Sequence, residues 1–285
     1  MLYLTKFSVP NAETEHGFFM HQRLTCYDSY YPFQVLPQRI QAPLEFAPIT
    51  IFYGGNGSGK TTTLNVISEK LGLARDALYN RSHFFEAYTK LCHVSCAKSL
   101  PQESRIITSD DVFDYMLRLR GINEGIDHRR EDLIQECLDV RYSQFQLRSL
   151  EDYDQLKKVN LARSKSQSKY VRAQLMYNVR EHSNGETAFL YFTEKIKENA
   201  LYLLDEPENS LSPHRQQDLL RFLEDSARFY GCQFIIATHS PFLLSLKTAT
   251  IYDFDERPAR PKPWTQLSNV QLYYQFFKQH EHEFQ

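Results

Sequence analysis

Residues Ile51–Ile67 read IFYGGNGSGKTTTLNVI: an apolar strand, a glycine-dense turn and the start of a helix. Gly54, Gly55, Asn56, Gly57, Ser58, Gly59, Lys60 and Thr61 fit the spacing G-x-x-x-x-G-K-[ST], with Thr62 following in the same turn. Glycines let backbone N–H groups converge on phosphate oxygens, and the helix start adds its dipole. Lys60 is placed to reach the β and γ phosphates and the Thr61 hydroxyl to ligate Mg²⁺. A buried strand before the turn and a helix after it favour a triphosphate site over a bare glycine-rich turn.

Working outward, LYLLDEPENSLSP delivers Asp205 and Glu206 to the carboxyl end of an apolar strand. Asp205 is read as a Mg²⁺ holder acting through water. Glu206 is read as the carboxylate that orients or deprotonates an attacking water. IIATHSP sets His239 just past another apolar strand, close to the γ-phosphate; its separation from Asp205 leaves room for one helix and one strand, which puts the two strand ends side by side. EHSNGETAFLYF places Ser183, Asn184, Gly185 and Glu186 at a helix start. That is a second anion site where one copy already has one, or else an ordinary helix cap.

These four segments, in this order, resemble the ATP-binding-cassette (ABC) ATPases. The resemblance is closest to small stand-alone ATPases of that superclass and, at one remove, to the ATPase heads of SMC-type and DNA-repair proteins. It rests on LYLLDEPE, on Leu211-Ser212-Pro213-His214-Arg215-Gln216 and on QFIIATHSP, and covers residues 33–72 and 181–255. It implies an α/β fold of the P-loop, ABC-ATPase type: a mainly parallel central sheet, an antiparallel N-terminal β part and a helical insertion near residues 74–182 of a single 1–285 domain. It also implies an ATP- and Mg²⁺-dependent ATPase that closes as a head-to-tail homodimer. Lys60 and Thr61 of one copy then face Ser183 and Gly185 of the other, with Asn209 and Ser210 lining the seam. His182-Ser183-Asn184-Gly185-Glu186 stands where many transporter engines carry L-S-G-G-Q. Ser109 and Asp110 are the candidates for the glutamine-loop position, and Tyr31 and Phe33 for the adenine-contacting aromatic.

The rest of the chain sets bounds. A hydrophobic share of 42%, a charged share of 24%, a net charge of −2 and a pI near 6.6 describe an ordinary globular protein with no global field for nucleic acid or anionic membrane. The apolar runs are too short for a membrane span, and the start of the chain lacks a basic then apolar leader, so the expectation is a cytoplasmic protein without membrane insertion. Five scattered cysteines do not form a disulfide framework, and CHVSC at Cys92–Cys96 lacks the spacing and second pair of a zinc site.

Short strands are expected in FQVLP and PLEFAPITIFYG, with helices over Lys60–Gly72, from a Ser109 or Asp110 cap to Gly121, over Glu186–Lys197 and over Pro213–Tyr230. Lys157 to Arg180 carries Lys157, Lys158, Arg163, Lys165, Lys169, Arg172 and Arg180 and no acid. This segment is a contact for nucleic-acid phosphates, a contact for an acidic partner or a solvated helical face; Tyr170 and Tyr177 stack on bases or pack the helix. The resulting expectation is an ATPase gating a separate effector protein in DNA repair or anti-phage defence. The alternatives are a transporter's nucleotide-binding subunit and a small-molecule kinase.

Overall fold

The computed structural model describes residues 1–21, 29–143, 153–175 and 184–284. The chain divides into two compact units, one made of residues 1–113 and 183–285 and the other of residues 114–182. Of the stretch 74–182 read as an insertion, the part up to Phe113 falls in the first unit.

The first unit is built on a six-stranded sheet. Its strands are β3 (Ile49–Tyr53), β5 (Arg105–Thr108), β6 (Leu201–Asp205), β7 (Gln233–Ala237), β8 (Thr250–Asp253) and β9 (Arg260–Pro261), in the order β5-β6-β7-β3-β8-β9. All pairs are parallel except β8 with the short β9. ITIFY, LYLLD and QFIIA are buried at every position, the near-continuous apolar pattern of strands covered on both faces. The helices α2 (Lys60–Leu71), α7 (Asn184–Lys195) and α8 (Pro213–Phe229) belong to the same unit. Gly72 ends α2 in the left-handed region at φ 63°, and Ser212 caps α8 with Pro213 at its first position, both as the sequence implies.

A small antiparallel sheet joins β1 (Leu4–Ser8), β2 (Leu44–Glu45) and β4 (His93–Cys96) in the order β2-β1-β4. In the chain, α1 (Ala12–His21) follows β1 and α3 (Phe85–Leu91) precedes β4. The two sheets are tied by Gln233, fully buried: its Oε1 accepts from the Tyr3 and Leu4 amides at 2.8 and 2.9 Å, and its Nε2 donates to Leu4 O at 2.7 Å. The high aromatic content goes into this packing, where Phe7, Phe33, Phe52, Phe84, Phe85, Tyr88 and Phe254 share one core.

Several expectations are corrected. FQVLP forms turns rather than a strand, with the Arg39 and Ile40 amides bonded back to Leu36 O. The helix after β5 does not stop at Gly121: α4 runs Ser109–Tyr142 through Gly121 and Gly125. Each interior glycine costs a helix only about 1 kcal/mol, which the helix formers on both sides outweigh. Its cap is neither Ser109 nor Asp110 but a reciprocal box, in which Asp111 Oδ2 accepts from the Thr108 amide at 2.6 Å and Thr108 Oγ1 accepts from the Asp111 amide at 3.3 Å.

The second unit contains α4 from Asp114 onward, α5 (Tyr153–Ser164) and α6 (Gln167–Arg172). Leu133, Cys137, Ala162, Tyr170 and Val171 form its core, and Arg141 donates to the Ala162 carbonyl. The chain continues in the first unit with α9 (Pro241–Leu244) and, after β9, α10 (Ser268–Gln279).

Candidate active site

Strand register assembles the site. Thr108 lies opposite Asp205, Asp205 opposite Ala237, Phe52 opposite Ala237 and Tyr53 opposite Asp253. Parallel strands in this register end along one edge of the sheet, so the residues that follow them (Gly54, Glu206, His239) meet where ligands bind in open α/β sheets.

Gly54, Gly57 and Gly59 take φ of 152°, 75° and 92°, a range L side chains rarely adopt. At Gly54 a Cβ would also sit 2.8 Å from Ser58 Oγ. Thr63 opens the helical ladder with its amide on Gly59 O at 2.9 Å. Lys60 is buried and arches over its own loop, donating to Gly54 O at 2.7 Å and Gly55 O at 3.1 Å, with Glu206 Oε1 3.9 Å away. Ser58 Oγ is buried and has no hydrogen-bond partner among the described residues. A buried ammonium bonded to its own loop's carbonyls, beside an orphaned hydroxyl and a glycine-lined turn, fits a polyphosphate. Gly55, Asn56 and Gly57 are exposed.

Two supports of this loop were not legible in the sequence. Asp255 Oδ1 accepts the Gly55 amide at 2.9 Å, and the Arg39 guanidinium donates to Gly57 O at 3.2 Å and Phe254 O at 2.6 Å. Nothing local to either residue points to the loop.

Thr61 Oγ1 donates to Asp205 Oδ1 at 3.0 Å. Burial pushes the Asp205 carboxyl up to about 7, the Thr61 bond pulls it down, Glu206 raises it, Lys60 lowers it and Glu208 raises it. A hydroxyl and a proton-hungry carboxylate side by side are hard oxygen donors of the kind Mg²⁺ takes, so the residues fit that ion. Among the described residues there is no cluster of three or more His, Cys, Asp or Glu that could hold a metal ion.

Glu206 adopts φ 47°, uncommon for a residue with a side chain, held by its amide on Ala237 O at 2.9 Å. Its Oε2 accepts from Asn209 Nδ2 at 2.9 Å, while Oε1 faces Lys60 and lies 3.8 Å from His239 Nδ1.

Glu208 is the residue that sequence reasoning missed. It is 6% exposed, and its Oε1 accepts from Thr238 Oγ1 at 2.6 Å and from the His239 and Ser240 amides at 2.9 and 3.2 Å. Ser240 Oγ donates in turn to Gln216 Oε1 at 2.6 Å, and Gln216 Nε2 to Leu211 O at 3.0 Å. This chain of bonds joins the Asn209–Ser210 turn to the His239 turn. A second acid three residues past Asp205 was the available signal.

Asn184, Gly185 and Glu186 open α7, while Ser183 lies outside the described residues. A Cβ on Gly185 would have Arg215 Cγ, Ser210 O and Ser212 N as neighbours, all at 3.8 Å, and Glu186 pairs with Arg215 at 3.1 Å. The neighbours of Gly59 and Gly55 are instead Leu36, Arg39 and Asp255. Ser109 and Asp110 open α4 directly after Thr108, the residue opposite Asp205. Tyr31 reaches the loop, its hydroxyl donating to Thr62 Oγ1 at 3.1 Å. Phe33 does not serve as an adenine platform: it is buried and stacks on Phe18 at 4.5 Å, because the surrounding aromatic core claims its faces.

In the second unit Lys165 is half-buried and Lys169 exposed, Lys158 pairs with Glu136 at 3.3 Å and Arg163 donates to Ser143 O at 2.9 Å. Tyr170 is a core residue and not a stacking platform; Tyr177 and Arg180 lie outside the described residues. Cys92 is buried and Cys96 exposed. No helix among the described residues is long and apolar enough to cross a membrane.

Residues 97–245 match the family model described as "AAA domain, putative AbiEii toxin, Type IV TA system". That span takes in the acid pair and His239 and begins after the glycine loop. No curated protein matches the chain. Among solved structures, the chain is similar to the Smc head domain with an extended coiled coil bound to the C-terminal domain of ScpA, from Pyrococcus furiosus; identity is 11%, coverage 96% of this chain and 100% of that chain, and TM-score 0.46. It is also similar to a nucleotide-free ATP-binding cassette from an ABC transporter, with 15% identity, coverage of 95% and 96%, and TM-score 0.43.

Proposed function

Because the chain belongs to the AAA-domain family whose model it matches over residues 97–245, we propose that it binds and hydrolyses ATP with Mg²⁺, two copies closing head-to-tail around the nucleotide to gate a separate effector. The observation that carries this reading is the Thr61–Asp205 bond at 3.0 Å, which joins the start of the glycine-loop helix to the acid pair.

Lys60 leaves its own carbonyls to compensate the β and γ phosphate charge, and the loop amides take the remaining oxygens. Thr61 and Asp205 hold Mg²⁺, which when bound neutralises phosphate charge. Asn209 fixes one oxygen of Glu206, so the other is free to accept the proton of a water attacking the γ-phosphorus as the bond to the ADP oxygen breaks. His239, steadied by Glu208, steers the γ-phosphate. In the partner copy Ser183, Asn184, Gly185 and Glu186 cap that phosphate, and Asn209 and Ser210 line the seam. The packing of Gly185 on Ser210 and Ser212 supports this, since it makes the α7 start and the seam turn one surface. Both units act as one ATPase module over residues 1–285. The toxin and type IV toxin–antitoxin wording of the family supports a role in defence over one in DNA repair.

The test is the Glu206→Gln protein sized with and without ATP and Mg²⁺. It is expected to bind ATP, to turn over about 100-fold or more slowly, and to double its nucleotide-free mass. Lys60→Ala is expected to lose nucleotide binding. An unchanged Glu206→Gln mass with ATP bound overturns head-to-tail closure, and wild-type turnover overturns the role of Glu206.

A further inference from the structure

Helix α10 has the sequence SNVQLYYQFFKQ, and every residue from Gln271 to Gln279 is exposed; Val270 is its one buried residue. At 100° per residue, Leu272, Tyr273, Tyr274, Phe276 and Phe277 cover one half of its circumference. Gln271, Gln275, Lys278 and Gln279 cover the other. A helix of 12 residues is marginal in water by itself and owes its stability to an apolar face packed on something. Among the described residues that face packs on little beyond its own turns: Phe276 lies 5.5 Å from Phe277 and 4.7 Å from His280, and Phe277 lies 6.3 Å from Phe284.

From this we infer that α10 is a homodimer interface, its aromatic face covered by α10 of a second copy without any need for nucleotide. Area favours a second copy. Leu272, Tyr273, Tyr274, Phe276, Phe277 and Phe284 are 47–75% exposed, so together they offer roughly 600–700 Å². A stable interface takes about 800 Å² from each partner, and the rim of the same helix supplies the difference.

Shape and charge favour it as well. A two-fold interface needs each copy to present both a knob and a hole, and α10 has both. Exposed Leu272, Tyr273 and Phe276 can serve as the knob; Tyr274, Phe277 and Phe284 line a groove together with Lys278 and Glu281. One cation and one anion at the groove suit a copy of themselves. A nucleic acid or an anionic lipid surface would call for a basic polar arc, whereas this arc is glutamine with one lysine, followed by Glu281 and Glu283.

The interface also has a route to the candidate site. Tyr53, the last residue of β3 before the glycine loop, anchors the start of α10: its hydroxyl accepts the Asn269 amide at 3.0 Å and lies 2.9 Å from Ser268 Oγ. ATP-driven closure would then join preformed pairs, which is why it shows as a doubling of the nucleotide-free mass.

Sedimentation of the full chain without nucleotide, from about 1 to 100 μM, tests this. The expected result is a species of twice 33.6 kDa. Phe276→Asp and Phe277→Asp are each expected to weaken self-association about 30-fold or more, and Tyr273→Glu provides a third probe should either fail to fold. Lys60→Ala, which removes nucleotide binding, is expected to leave the dimer intact. A wild-type monomer at every concentration overturns the inference, whether or not it then floats with phosphatidylcholine vesicles. So does a dimer that survives the folded α10 variants, or one that Lys60→Ala abolishes. Only the last result also bears on the nucleotide reading; failure of ATP closure alone would leave the α10 dimer standing.

Discussion

At the scale of single residues, the acids after β6 divide their labour by burial and bonding. Asp205 meets the Thr61 hydroxyl, Glu206 keeps one oxygen turned to Lys60 and His239, and Glu208 is spent on three donors of the Thr238–Ser240 turn. Replacing Glu208 with Ala strands the Thr238 hydroxyl and the His239 amide, while the Ser240 amide keeps Thr238 Oγ1 at 3.0 Å, at about 2–4 kcal/mol in all. For a chain of this size that lowers Tm by roughly 3–7 °C in a thermal melt. Glu208→Gln keeps the accepting oxygen and is expected to lose much less stability. Because the turn holds His239 rather than the phosphates, Glu208→Gln is expected to lower kcat more than ATP affinity; an equal loss in both would count against a positioning role. Lys60 and Asp205 were legible because a local motif declares them. Glu208, Arg39 and Asp255 act on residues remote in the chain, and no local spacing encodes that.

At the scale of elements, α7 matters because its first turn carries the segment proposed to reach the partner's nucleotide. Its far end is clamped by Asp76, which meets Lys195 at 2.7 Å, Arg105 of β5 at 3.6 Å and the Tyr191 hydroxyl at 3.3 Å. The Lys195 bond, the Arg105 charge and the Tyr191 hydroxyl hold the Asp76 carboxyl below its ordinary value against a smaller opposing push from burial. A carboxyl depressed in the folded state binds fewer protons there than in the unfolded chain. Its contribution is therefore complete above the ordinary aspartate value near 4 and is lost as pH falls through the folded value. Asp76→Asn is expected to cost about 0.5–1 kcal/mol at neutral pH, the pair being partly solvated. Denaturant titrations should show this gap narrowing in acid; a gap independent of pH would place the effect elsewhere. The boundaries of α4 teach a complementary lesson: its glycines read as stops, but a helix ends only where continuing it costs more than stopping.

At the scale of the whole molecule, the basic segment belongs to a unit with its own small core, and Tyr170 is part of that core. Of its cations, half-buried Lys165 and exposed Lys169 are the two to test. If they meet nucleic-acid phosphates, affinity falls steeply between about 50 and 200 mM salt, and Lys165→Glu with Lys169→Glu flattens that slope by about two counterions. A filter-binding series reads both quantities. Binding that ignores salt and both substitutions would assign the segment to solvent or to an acidic partner.

The order of the motifs and the buried strands that carry them were settled by sequence alone. A phosphate-binding turn, an acid pair at a strand end and apolar five-residue runs are local patterns, set by glycine conformation and by exclusion of apolar side chains from water. Tertiary structure decided the rest: the strand register that aligns Asp205 with Ala237, the Gln233 bridge between sheets, the supports of the glycine loop and the exposed aromatic face of α10. The reason is physical. These depend on which distant segments meet, and a hydrogen bond or a buried face has no signature until both of its sides are in place.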